Sequence, residues 1–301
     1  MIEETPTDAV PRNARCLAPL PTGWLALTAA GLVVLPSGAP LAVDLPAEEP
    51  EDFVGHQRGP ALHTSPDGRF AAVVTDHGRY GVVVDLVTGA RVLELDREED
   101  ADHFTTRYPL AFADARTLVV GTSWNRLDAF ALPEGRLLTA REVPEEHDLD
   151  YYHGALLPNP SGTHVLDDGW VWHPIGVPTV VDVRGWLGGD TFAAEHGRWL
   201  GTGNDDWNVP MAWLDDDTVA VREDHGVGVY RHGEPVAVLD VPAGPLWGRH
   251  GLLHVGAEGG LETWDGGTRT GVVEGFRPTA FAPLTGAFAE VAGGLLRTWS
   301  A

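Results

Sequence analysis

Residues 62–95, LHTSPDGRFAAVVTDHGRYGVVVDLVTGARVLEL, contain short runs of β-branched and apolar residues separated by turn residues. Within them, Ser65–Gly68 favours a tight turn, because proline fixes φ at one position and glycine accepts a positive φ at another. Strands are then predicted at Phe70–Thr75, Gly81–Leu86 and Arg91–Leu95, each bounded by a turn that contains glycine. Together with the apolar residues before Ser65, the stretch predicts a unit of four antiparallel strands.

The same alternation of strands and turns recurs along the whole chain. The first turns of successive units lie about 44 residues apart, a spacing typical of four-stranded propeller blades. The predicted blades are residues 16–45, 59–96, 108–142, 153–184, 209–241, 244–275 and 277–301. The last blade has only three strands, so we expect residues 9–15 to supply its outermost strand and close the ring. Pro11 is acceptable at such an edge. The sequence thus predicts one all-β domain over residues 1–301, a seven-bladed β-propeller, with a six-bladed ring as the alternative.

Particular residues resemble those of a known family. Ser65–Arg69, followed by Val84-Asp85 and Thr88-Gly89, resembles a repeat of the WD-repeat propellers or of related bacterial propellers. Trp264-Asp265 is the dipeptide that gives the WD-repeat family its name. Gly55-His56 resembles the family's Gly-His pair, and Asp76 occupies the position of its turn aspartate. The resemblance implies that His56 and Asp76 fix a turn, and that the protein is a platform for binding other proteins.

Composition excludes several functions. The chain has no lysine, which excludes a P-loop lysine and a Schiff-base lysine. Its net charge of −24 disfavours binding to nucleic acid or to an anionic membrane, and it is compatible with a basic or cationic partner. The single cysteine, Cys16, excludes an internal disulfide. The acidic N-terminal residues differ from a signal peptide, so we expect a cytoplasmic protein.

The acidic residues are concentrated in four long connections between predicted blades. These connections hold 17 of the 44 acidic residues, and we expect them to share one face of the ring with the turns between the second and third strands. They are residues 46–58, 97–107, 142–153 and 190–208. Acidity is therefore predicted to be concentrated on one face.

Aromatic residues and histidines occur in the same connections. Aromatic side chains on loops often contact partners, whereas tryptophans inside strand runs are expected in the core. The candidate binding residues are His147, Asp148, Asp150, Tyr151, Tyr152, His153, Trp124, Trp199 and Trp207. We expect this face to bind a protein or basic peptide, or a cationic small molecule.

An enzyme is the alternative, because histidine beside carboxylate suits acid–base chemistry or a divalent metal. It would be a lyase, isomerase or hydrolase at the mouth of the axial channel, and it requires at least two histidines to converge there. The candidate catalytic residues are His103, His153, Asp224, His225 and His77. No established metal-binding motif occurs, so no cofactor and no metal ligands are predicted, and a divalent metal is the less favoured alternative.

Overall fold

A computed structural model of the chain describes residues 1–6, 14, 16–36, 38–47, 58–97, 103–172, 174–201 and 205–301. These residues form seven antiparallel sheets, which are the blades of a ring. The strands of the first half, in chain order, are β1 (Glu3–Pro6), β2 (Cys16–Pro19), β3 (Trp24–Thr28), β4 (Gly31–Leu35), β5 (Gly59–Thr64), β6 (Phe70–Asp76), β7 (Tyr80–Asp85), β8 (Arg91–Asp96), β9 (Leu110–Phe112), β10 (Thr117–Ser123), β11 (Arg126–Ala131), β12 (Arg136–Leu137), β13 (Tyr151–Pro158) and β14 (His164–Val171). Those of the second half are β15 (Ile175–Gly176), β16 (Thr179–Asp182), β17 (Arg198–Trp199), β18 (Met211–Trp213), β19 (Thr218–Glu223), β20 (Gly226–Arg231), β21 (Glu234–Leu239), β22 (Leu246–Arg249), β23 (Leu252–Ala257), β24 (Gly260–Asp265), β25 (Thr268–Glu274), β26 (Ala280–Ala282), β27 (Ala287–Ala292) and β28 (Leu295–Ser300).

The ring closes through the N-terminus, as the sequence predicts. Strand β1 pairs antiparallel with β28 of blade seven, with Glu3 opposite Thr298, and becomes the outermost strand of that blade. The closing strand is therefore Glu3–Pro6. Of the predicted residues 9–15, all but Ala14 lie outside the described residues. Closure joins the two ends of the chain in one sheet.

Each of the seven interfaces between neighbouring blades contains its own apolar core. At the closing interface, Trp24 and Ala26 of blade one pack with Ala280 and Leu296 of blade seven. Because burial of apolar surface dominates folding free energy, these contacts hold the ring together all the way round. The fold class is confirmed as a seven-bladed, all-β propeller.

Blade four is the least regular blade. Its third strand is divided into β15 and β16, which both pair with β14. A five-residue helix, α1 (Val183–Leu187), then precedes the outer strand β17, so the predicted connection 190–208 contains part of the blade. No helix among the residues that the structure describes is long and apolar enough to cross a membrane.

Blade two, in contrast, is fixed by local hydrogen bonds. Gly68 has a φ of 70° and donates its N–H to the Ser65 carbonyl at 2.8 Å, which closes the predicted turn. The buried Asp85 carboxylate accepts from Arg69 at 3.0 Å and from the backbone N–H of Val87 at 2.9 Å and of Thr88 at 3.1 Å. The residues that carry the family resemblance are thus the ones that fix the turns of this blade.

Candidate functional site

The turns between second and third strands meet the connections between blades on one face, which we call the upper face. In blade two, the His77 backbone N–H donates to the Thr106 carbonyl at 3.2 Å, and Asp76 accepts from the Tyr108 N–H at 3.0 Å. In blade three, the Asn125 side-chain amide donates to the Leu149 carbonyl. At these blades, turns and connections form one continuous surface.

A group of stacked rings lies at this face of blade four. Tyr152 and Trp170 are directly opposite each other on β13 and β14, and their rings stack with centroids 4.0 Å apart. Trp207 also stacks on Trp170, at 4.7 Å, and Trp124 meets Tyr152 edge-on at 4.7 Å. We call Trp124, Tyr152, Trp170 and Trp207 the aromatic stack. It joins the turn between β10 and β11 of blade three, the first two strands of blade four and the segment before blade five.

Two local features place Trp207 on Trp170. Gly176 lies opposite Trp170 in the sheet, and a Cβ there would come within 2.2 Å of the Asp206 carbonyl oxygen, so only glycine admits this segment. Thr105 then holds both indoles: its hydroxyl accepts from Trp170 Nε1 at 3.2 Å and its carbonyl from Trp207 Nε1 at 2.8 Å. The position of the stack is set by backbone shape and by hydrogen bonds.

A buried ion network holds the segment around Glu195, which precedes Trp207 in the chain, against blade three. The Arg141 guanidinium pairs with Asp128 at 3.0 Å and with Glu195, and it lies 5.1 Å from the ring centre of Trp186. All four side chains are buried or nearly so. Buried charges are tolerated only when they are paired, so this network is sensitive to loss of any member.

The anchored segment brings a second aromatic group to the upper face. His147 stacks on Phe192 with ring centroids 4.0 Å apart, and its Nδ1 lies 2.8 Å from His196 Nε2. The sequence places all three residues in connections of this face but does not indicate that they meet. One of the two histidine nitrogens donates to the other in this arrangement.

The upper face presents both indoles and carboxylates to solvent. Trp124 is 40% exposed and Trp172 is 62% exposed, with the Trp172 ring 6.0 Å from that of Trp170. The exposed acidic residues of the adjoining connection include Glu145, Glu146, Asp148 and Asp150. Large apolar side chains beside carboxylates are a combination that suits contact with an amphipathic or cationic group.

His153 is buried and bonded within its own blade. Its Nδ1 lies 2.6 Å from Asp167, and the other oxygen of that carboxylate accepts from the Gly154 N–H at 2.9 Å. The two contacts hold the irregular register between Tyr152 and Ala155. The cleft beside His153 has a volume of about 20 Å³, which is room for about one water molecule.

Tyr151 is likewise built into the blade. Its hydroxyl accepts from the Gly169 N–H at 3.1 Å and donates to the Val177 carbonyl at 3.0 Å. Burial, with the nearby Asp167, raises the pKa of Tyr151 well above its ordinary value. Both observations indicate a structural role for this side chain.

Asp168 is buried without a hydrogen bond of ordinary geometry to either carboxylate oxygen. Burial raises its pKa to about 7, against the attraction of Arg107 and of the Val209 backbone N–H, and the carboxylates of Asp167 and Asp206 raise it further. The Asp168 carboxyl group therefore changes charge near neutral pH, and it lies close to residues 206–209, the segment that carries Trp207.

The candidate catalytic residues have different surroundings. His77 is buried, and its Nδ1 lies 3.0 Å from the Phe104 carbonyl. Asp224 and His225 are exposed in the turn between β19 and β20. His103 lies in a short 3-10 helix at residues 103–105, and its side chain is outside the described residues. In the described part of the chain, no three His, Cys, Asp or Glu side chains are placed to hold a metal ion.

Comparison with known proteins identifies the architecture. No protein-family model matches this sequence, and no curated protein matches it either. Among solved structures, a chain in the crystal structure of the mitotic checkpoint complex matches with a TM-score of 0.63 and 12% identity, over 99% of this chain and 91% of that one. The fold is that of a WD-repeat-like propeller. At this identity, the similarity establishes the fold alone.

Several candidate residues of this WD-repeat-like propeller lie apart from the stack or outside the described residues. Trp199 is 56% exposed on the outer strand of blade four. His56 lies outside the described residues, whereas Asp76 accepts a hydrogen bond from the connection and thereby fixes the turn. The stack unites Trp124, Tyr152 and Trp207 of the predicted binding residues.

The core expectation for tryptophans inside strand runs is confirmed for Trp170, which is buried, and is wrong for Trp172, which is 62% exposed. The sequence analysis does not single out Asp168. The alternation Trp170-Val171-Trp172 was the available signal, because residues two apart in a strand share a face. The acidic pair Asp167-Asp168 inside an apolar run was a second signal, since buried carboxylates are rare without partners.

Proposed function

We propose that the protein is a binding platform for another protein or a peptide, and that the upper face of blades three and four is the contact surface. The supporting observation is the aromatic stack, whose member Trp124 is exposed and which is flanked by exposed Trp172 and by the exposed acids Glu145, Glu146, Asp148 and Asp150. Aromatic side chains on a rigid support contribute strongly to protein interfaces, because they bury large areas at low entropic cost.

The fold supports a protein partner in general terms. The matching solved chain belongs, by its title, to a complex of proteins, the mitotic checkpoint complex. A seven-bladed ring with rigid blades also presents loops from several blades on one surface, which suits recognition of an extended partner.

The negative charge of the protein favours a partner of particular chemistry. The net charge of −24 and the exposed carboxylates favour a basic or amphipathic peptide. An arginine side chain fits this surface best, because its guanidinium both pairs with carboxylates and stacks on indole faces. We place this interaction in the cytoplasm, where the Cys16 thiol, which donates to the Pro60 carbonyl at 2.8 Å, would stay reduced.

Charge reversal tests this proposal. A variant with Glu145, Glu146, Asp148 and Asp150 all changed to arginine should bind a labelled arginine-rich peptide about tenfold or more weakly than the wild type, measured by fluorescence anisotropy. Raising the salt concentration should weaken wild-type binding in the same direction, because exposed charges are screened.

A matched control separates local from overall charge. Reversing the four exposed acids Glu94, Glu134, Asp265 and Glu274, on outer strands and on turns between third and fourth strands, changes net charge equally. This control should retain most of the binding. Equal losses in both variants, or unchanged binding in the first, would contradict the proposed surface.

The buried His153–Asp167 pair is the one observation that favours the enzyme alternative. A histidine held by a carboxylate can act as a general base, and this pair lies beside a cleft that also contains Arg97 and Arg126. Because the cleft has room for about one water molecule, a ligand as small as formate is the suitable probe for crystal soaking: formate density against His153 supports an enzyme, and an empty cleft favours the platform. A cationic small molecule would instead occupy the acidic residues 145–150.

A further inference from the structure

The outer strands of the ring differ in how they protect their unpaired backbone groups. An exposed outer strand can pair with another chain, and short length, charged side chains and proline oppose such pairing. Strands β12 and β17 have two residues each, and β1 contains two glutamates and Pro6. Strand β8 includes Arg91 and Glu94, and β25 includes Arg269.

Strand β21 of blade five has this protection only at its first two residues, Glu234 and Pro235. Its sequence is EPVAVL, its first five residues are exposed, and no charged residue follows Glu234 within it. Val236 is 55% exposed and Val238 is 64% exposed. From Val236 onward it combines an edge that has no proline or charged residue with an apolar surface.

A groove runs beside this strand, between blades five and six. It is lined by Ala237 and Leu239 from β21 and by Leu214 and Leu253, and its volume is about 160 Å³. An apolar cavity of roughly 150 Å³ is known to bind benzene, so the groove has room for one leucine or phenylalanine side chain. Edge and groove together match the requirements of strand addition, in which the backbone pairs and side chains fill pockets.

The charges around β21 determine what can occupy it. Exposed acids stand at both ends of the strand: Glu234 lies at its start, opposite exposed Arg231 of β20, and Asp240 comes directly after it. Antiparallel pairing of two copies would place Glu234 of one copy near Asp240 of the other, and like charges opposite each other are destabilising. A net charge of −24 on each copy opposes self-association further. The occupant must therefore be a different chain, with basic residues at the ends of its apolar segment.

We infer that β21 is the docking edge for an extended segment of a partner protein, which adds to blade five as a fifth strand. The segment has basic ends, an apolar centre and one large apolar side chain that enters the groove. This site is separate from the upper face and does not depend on the function proposed there.

A synthetic peptide of alternating threonine and valine, with a central leucine and an arginine at each end, is the probe. The double variant Val236→Lys/Val238→Lys should bind it about tenfold or more weakly in anisotropy titrations, because lysine on an edge strand opposes pairing and repels the basic ends. The matched control is Val272→Lys/Leu284→Lys, which adds the same two charges at exposed sites outside β21, where the valine is 48% and the leucine 63% exposed, and it should bind as the wild type does. Thermal melts of all three proteins establish that folding is retained.

A second peptide distinguishes strand addition from apolar adhesion. The same sequence, N-methylated at alternate residues so that the pairing N–H groups are lost, should not bind. Equal binding of both peptides overturns the inference, as does an absence of saturable binding to the wild type. Analytical sedimentation tests the remaining alternative, self-association. If the wild type is a dimer and the lysine variant is a monomer, a second copy of the chain occupies β21, and the inference is overturned.

Discussion

Blade two and blade four each bury a carboxylate, and the two groups differ in their partners. Burial opposes ionisation of Asp85 in blade two, yet its hydrogen bonds from Arg69, Thr88 and Val87 hold its pKa below the ordinary value. Burial of Asp168 in blade four raises its pKa to about 7, and neither of its oxygens has a hydrogen bond of ordinary geometry. The regular blade provides hydrogen bonds to this carboxylate, whereas the irregular blade leaves Asp168 without them.

The difference follows from where the partners come from. In blade two the groups that bind Asp85 lie within residues 69–88, so local sequence can fix them. In blade four the surroundings of Asp168 come from Arg107 and from residues 206–209, which other blades and connections position. The surface that we propose as functional lies where local rules no longer determine the structure.

The largest expected effect is the loss of the central ring of the stack. Trp170→Ala should lower the free energy of unfolding by about 3–5 kcal/mol, because it removes a buried indole that contacts two rings and Thr105. Urea denaturation measures it. The same truncation at exposed Trp199, outside the stack, is the control and should cost far less. Similar losses in both variants would mean that the stack contributes little to blade four.

The next effect depends on pH and comes from Asp168. Its folded pKa of about 7 lies above the ordinary value of 3.8, so its ionisation costs stability as pH rises from about 4 to about 7. With each pKa unit equal to about 1.4 kcal/mol, the full cost above pH 7 is on the order of 4 kcal/mol. Asp168→Asn should therefore stabilise the protein at pH 8 and change little at pH 4.

Chemical denaturation of the wild type and of Asp168→Asn at pH 4, 6 and 8 measures this dependence. The difference in unfolding free energy should grow with pH, because only the wild type bears the cost of ionisation. A difference that is constant across this range would show that ionisation of Asp168 carries no cost in the folded protein. Its carboxylate would then be stabilised as that of Asp85 is in blade two.

These two blades also show what the sequence could predict. Strand and turn positions in blade two follow from neighbouring residues such as Pro66 and Gly68, and the ring follows from repetition of that pattern. The aromatic stack depends on the bulge near Gly154 and on the Thr105 carbonyl, which lies 102 residues from Trp207 in the chain. No local pattern encodes a contact of that range, so the sequence predicts some members of the stack but not their meeting.

A moderate effect on stability is expected from replacing Asp85, the carboxylate whose hydrogen bonds are satisfied. Asp85→Asn should lower the free energy of unfolding by about 1–3 kcal/mol at pH 7, because Arg69 loses a charged acceptor and an amide N–H faces a donor. The folded pKa of Asp85 is lowered, so its contribution is present above the unfolded pKa and is lost as pH falls through the folded value. The difference between variant and wild type should thus shrink in acid, opposite to Asp168→Asn. A difference that grows in acid would contradict the ion pair.

The smallest effect on stability should come from Trp172→Ala, and it separates folding from binding. The side chain is 62% exposed, so its removal should change the free energy of unfolding by no more than about 0.5 kcal/mol. If the upper face binds the arginine-rich peptide, the same variant should weaken that binding severalfold, because an indole face beside the stack is lost. Trp172→Phe, which keeps a ring at this position, should retain part of the affinity. Wild-type affinity in Trp172→Ala would remove this residue from the surface and confine the contact to Trp124 and the acidic residues 145–150.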